Sequence, residues 1–178
     1  MKNILLLLTL CFLIGCKSKK DSVSKTETAP KYKMEKILDD KVDVEQKERM
    51  TALGKQILMT CNTSKFKPLS DKEATPEVRK NMTIERLTKT CLKFKLKYGD
   101  FKDLQFVEAY RNYPENKIIY RYKALYEKKI AHKELRITVN ENNQISAVNS
   151  KDWKDDFLKA DAAKAKPDPK KSENKKTS

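Results

Sequence analysis

Glycine and histidine are nearly missing from this sequence. Of 178 residues, three are glycine, Gly15, Gly54 and Gly99, and no two stand close together. A loop that cradles phosphate by close backbone approach needs clustered glycines, so P-loop and dinucleotide-binding readings drop out. The one histidine, His132, excludes multi-histidine metal centres. It stands in the polar Lys128–Lys133 connection and reads as an exposed side chain rather than a general base. No catalytic set can be assembled, and neither a metal nor a cofactor is expected. Long apolar runs are equally scarce. The only one, Ile4 to Ile14, is broken by Thr9. As a helix it would rise about 16 Å, roughly half the thickness of a bilayer's hydrocarbon core, which is too short to span it.

The residues around that run give the protein an address. Lys2 supplies a positive start, the apolar run comes next, and Leu13-Ile14-Gly15-Cys16 closes it. This arrangement resembles the bacterial lipobox, so residues 1–15 read as a lipoprotein signal peptide. The resemblance implies that Cys16 becomes the first mature residue and carries a diacylglycerol, usually with a further acyl chain on its amine. Two or more chains make a stable anchor where one does not. Membrane attachment through Cys16 in a bacterial cell envelope is the expectation. Lys17 stands after the cysteine where inner-membrane retention commonly uses aspartate, which favours the outer membrane.

Charge is strongly one-sided, with 40 Lys and Arg against 25 Asp and Glu and a net +15. In an envelope, the nearest anionic surfaces are lipid head groups and acidic polymers. Nucleic acid is not an expected partner: in Lys93-Phe94-Lys95-Leu96-Lys97-Tyr98, helical spacing turns the lysines to solvent and Phe94 inward. Residues 16–43, the lipidated cysteine and the polar stretch after it, read as a flexible tether. Residues 159–178, rich in Lys and Pro, read as a disordered tail. Residues 44–158 remain as the folded domain.

Within that domain the hydrophobic period changes once. Met50, Leu53, Ile57 and Cys61 recur at helical spacing from about Val44, with Gly54 weakening the helix by about 1 kcal/mol relative to Ala. Thr75-Pro76 is a helix start, and Thr83 caps a further helix on which Ile84, Leu87, Cys91 and Phe94 share a face. Gly99 is its stop. Beyond it the period is two: a strand at 104–111, a strand at 117–127, and a hairpin over 134–149 that turns at Asn140–Asn143. Trp153 and Phe157, at i and i+4, predict a short closing helix over 150–159.

Helices succeeded by an antiparallel meander resemble the nuclear transport factor 2-like, cone-shaped (cystatin-like) superfamily. The residues that carry the likeness are Met82-Thr83-Ile84, then Leu96 to Phe101, Tyr120 to Tyr126, Leu135 to Val139, and Ile145. The resemblance implies an α+β fold in which N-terminal helices pack on a curved antiparallel sheet around a pocket. It also implies that members use the pocket for catalysis, small ligands or protein contacts, and that many form homodimers through the sheet.

The candidate pocket residues are Tyr120, Tyr122 and Tyr126, which share one strand face, with Glu108 and Tyr110 turned inward beside them by alternation along 104–111. Cys61 and Cys91 each fall on the apolar face of a helix, where they are either a structural disulfide or two buried thiols. The expected function is a non-catalytic module for a small ligand or an envelope protein. An acid–base enzyme built on Glu108, and a basic surface for anionic polymers, are the alternatives.

Overall fold

Residues 34–158 are described by the structure, a computed structural model; the expected signal peptide over 1–15, Cys16, most of the expected tether and the 159–178 segment lie outside them. Helix α1 (Val44–Thr63) starts where the Asp43 carboxylate accepts the Gln46 N–H, and ends at Ser64 in the left-handed region. Two threonines start the next helices in the same way. Thr75 caps α2 (Pro76–Asn81) with proline in its first turn, and Thr83 caps α3 (Ile84–Tyr98). Gly99, at φ 75°, lets the chain leave α3 and turn directly into the sheet.

The sheet has five antiparallel strands in the order β1-β2-β3-β4-β5: Met34–Ile37, Phe101–Asn112, Lys117–Tyr126, Lys133–Val139 and Ile145–Asp152. The architecture is α+β. Helices α1 to α3 lie on one face. Gly54 sets how close they come: a Cβ there would meet Leu104 Cδ2 at 2.7 Å and the side chains of Ile137 and Leu135 at 3.1 Å. The missing side chain that weakens its helix propensity is thus what lets α1 rest directly on β2 and β4. Met50, Leu53 and Ile57 of α1 meet Leu104, Tyr120, Tyr122, Leu135 and Ile137 in the main core. A disulfide between Cys61 and Cys91, whose Cα atoms are 4.7 Å apart, fastens α3 to α1.

Two boundaries and one strand's alternation differ from the sequence expectation. The folded unit begins at Met34 rather than at 44, because β1 pairs with β2 from Met34↔Asn112 to Ile37↔Ala109. Four residues at a sheet edge, with Glu35 and Lys36 exposed, carry too little apolar pattern to stand out from a polar tether. The closing helix over 150–159 does not form in its first half. Ser150, Lys151 and Asp152 continue β5 against Leu135, Glu134 and Lys133, and a full ladder satisfies more backbone groups than one helical turn. Finally, β2 has a bulge between Phe106 and Glu108, which reverses the alternation beyond it. Phe106 and Ala109 face the helices, whereas Glu108 and Tyr110 face the other way.

Candidate functional site

Strand β3 turns Tyr120, Tyr122 and Tyr126 toward the helices, as its alternation requires. Their fates differ. Tyr120 donates its hydroxyl to Gln46 Oε1. The Tyr122 hydroxyl lies 3.4 Å from the Lys47 carbonyl and 3.5 Å from Thr51 Oγ1. Both rings are fully buried against α1, and their polar tips are occupied by it. Burial pushes Tyr120 up to about 12 and raises Tyr122 further still. These two are core residues.

Tyr126 is the member of the row that reaches open space. Its ring stands among Phe94, Tyr98 and Phe101, with centroids 5.8 to 5.9 Å away. Burial, helped by neighbouring Tyr98, pushes its hydroxyl to about 12. Beside it, a cavity of about 160 Å³ lies between α1, α3 and the β4–β5 end of the sheet. Ile57, Leu58, Leu87, Phe94, Leu135 and Val148 make its wall mainly apolar, and Thr90 and Ser150 add hydroxyls. The Cys61 end of the disulfide closes one side. Met82, Leu87, Thr90 and Val148 also border a second, more open groove of about 320 Å³ between α2, α3 and β5, whose polar lining includes Glu77, Asn81, Arg86 and Asn149. The apolar chamber and the polar groove thus lie on either side of Met82, Leu87, Thr90 and Val148, which line both.

Glu108 and Tyr110, expected beside that row, lie on the opposite face of the sheet because of the β2 bulge. There Glu108 pairs with Arg121, and with Lys36 at 3.0 Å. Arg121 is 0 % exposed. It grips Glu134 in a two-pronged contact, Nε–Oε1 at 2.8 Å and Nη2–Oε2 at 3.1 Å, and donates to the Lys154 carbonyl at 2.8 Å. Arg136 also donates to Glu134. Burial drives the Glu134 carboxyl up, but hydrogen bonds and charge from Arg121 and Arg136 outweigh it and leave it below its usual range. Tyr110 is pushed to about 12 by burial and by the Glu108 charge.

The chain after β5 straps over this cluster. The Arg121 guanidinium lies 4.4 Å from the Trp153 ring and 4.6 Å from the Phe157 ring, and Phe157 packs on Tyr110 at 4.3 Å. Sequence reading missed the cluster entirely. Its signal was a run of charged residues at alternate strand positions, Arg121, Glu134 and Arg136, which reads equally well as a solvated face. His132 is exposed, beside a separate cleft that it shares with Trp153 and Asp155.

Comparison with family models, with curated proteins and with solved structures finds no match to this chain. Among the described residues, no helix is long and apolar enough to cross a membrane.

Proposed function

We propose that this protein is a lipid-anchored bacterial envelope protein whose domain, of the nuclear transport factor 2-like kind, holds a small apolar ligand under α3. The observation that carries the reading is the cavity beside Tyr126. Its aliphatic and aromatic wall suits burial of apolar surface, and Thr90 and Ser150 offer hydroxyls to orient a polar end. The polar groove beside β5 shares Met82, Leu87, Thr90 and Val148 with the cavity, so movement of these side chains is the route by which such a ligand would enter. A binding role fits this wall better than acid–base chemistry, since Glu108 stands across the sheet from the cavity, held by Arg121 and Lys36. The anchor rests on the lipobox ending at Cys16.

Native mass spectrometry of the full chain extracted from membranes tests the ligand. A retained mass is expected, and Val148→Trp, which fills the cavity from the outer strand, should abolish it while leaving the circular dichroism spectrum intact. A parent protein that carries no ligand, or a Val148→Trp variant that keeps it, overturns the reading. The anchor is tested separately by palmitate incorporation, which should be lost in Cys16→Ser.

A further inference from the structure

Helix α3 turns Leu87, Cys91, Phe94 and Tyr98 inward, Cys91 and Tyr98 fully buried, and leaves two leucines at the opposite pole. Leu92 is 60 % exposed and Leu96 is 79 % exposed. Four residues apart, they sit one above the other on a single outward ridge. Lys89 and Lys93 flank the ridge on one side, with Lys97 beyond them folded over the Tyr98 ring, and Lys95 flanks it on the other. The β3–β4 loop meets the C-terminal end of this helix. Lys128 donates its backbone N–H to the Tyr98 carbonyl and its ammonium to the Leu96 carbonyl, both at 3.0 Å. Lys128 is followed in that loop by Lys129 and by Ile130, which is 68 % exposed. The acidic residues nearby are few. Asp100 is paired with Lys95 at 3.2 Å, Glu127 accepts from the Asp100 backbone at 3.3 Å, and Glu85 stands in the first turn of α3.

We infer that this face, α3 with the 127–132 loop, docks on the surface of an anionic lipid bilayer. The chemistry matches at both levels. Aliphatic side chains at the centre of the patch enter the boundary between head groups and acyl chains, and lysines around them reach anionic head groups while their methylene stems cover apolar surface. An anionic leaflet attracts such lysines, so charge draws the face in and the leucines hold it. Docking of this face does not need the lipid on Cys16, since every residue involved belongs to the folded domain.

The test uses the full chain with Leu96→Trp, mixed with vesicles of brominated phosphatidylcholine, with or without phosphatidylglycerol. Indole fluorescence beyond the signal of the parent's Trp153 should be quenched by the anionic vesicles, and the quenching should fade at high salt as screening shortens the reach of the lysines. In the Cys16→Ser background, which removes the anchor, the pair Leu92→Ser/Leu96→Ser should lower vesicle binding about tenfold or more, and both positions are exposed enough to leave folding intact. Equal quenching by neutral vesicles overturns the inference, and so does absence of quenching in chain that still sediments with vesicles. Self-association that vanishes in the serine pair, with no vesicle effect, would assign the ridge to a second copy and overturn it as well. Running the same assay on Cys16→Ser separates the outcomes: loss of palmitate labelling reports on the anchor, quenching on this face.

Discussion

The two faces of the sheet are buried by different means. On one, tyrosines and aliphatic residues of β2 to β5 meet three helices, and a disulfide ties the helix layer together. On the other, a four-membered cluster of Arg121, Glu108, Glu134 and Arg136 lies under a short strap that carries Trp153 and Phe157. Apolar burial is non-directional and tolerates modest repacking, whereas buried charges demand every partner at once. The ionic face should therefore be the more brittle of the two, although it covers less of the protein.

Arg121→Ala is the sharpest way to test that contrast. It strands Glu108 and Glu134 in a buried setting and unseats both rings of the strap, so a loss of about 3–5 kcal/mol is expected in urea unfolding. An effect below about 1 kcal/mol would mean that the cluster is wetter than its burial indicates.

On the helix face, the double variant Cys61→Ser/Cys91→Ser removes a link that closes a loop of 30 positions. It should cost about 2–4 kcal/mol, read as a lower melting temperature that matches the parent under reducing agent. A larger loss than from Arg121→Ala would reverse the ranking of the faces.

Acid and alkali should loosen the faces in opposite order. The carboxyl of Glu134 is held below 4.5, so its share of stability is intact above that pH and is lost as pH falls through the lowered folded value. Tyr120 and Tyr126, raised to about 12, favour the neutral phenol, and their share is intact below 10 and drains away as pH rises toward 12. Tyr110 adds one group of the same sign on the ionic face. Urea midpoints across pH should fall at both ends, and Glu134→Gln should flatten only the acid limb.

The smallest effect belongs to Tyr122→Phe. Its hydroxyl makes only long contacts, 3.4 and 3.5 Å, so about 1 kcal/mol or less should be lost.

Local signals in the chain located most elements well. Thr75-Pro76, Thr83 and Gly99 mark the ends of α2 and α3 within a residue of where they fall, because capping is decided by neighbours in sequence. The alternation of β3 also placed its tyrosines on the core side. The site was less legible. Leu104 and Phe106 gave a regular period, but the bulge before Glu108 leaves no trace in a pattern of single residues, and it moved two of five candidate pocket residues across the sheet. Strand β1 was invisible for a related reason: its partner lies more than sixty positions away, and its own four residues carry almost no apolar signal. The leucine ridge escaped notice because Lys93 to Tyr98 reads as an ordinary solvent face until Leu92 and Leu96 prove uncovered.

By itself, the amino-acid sequence determined where α1 to α3 start, that antiparallel strands follow Gly99, and which face of β3 is apolar. Each of these depends on contacts within a turn or between alternate residues. Tertiary structure alone decided that Glu108 belongs to an ion cluster, that Cys61 meets Cys91, and that a cavity remains beside Tyr126. Register, close approach and leftover space are properties of how distant segments meet, and packing energy sets them only when the whole core is in place.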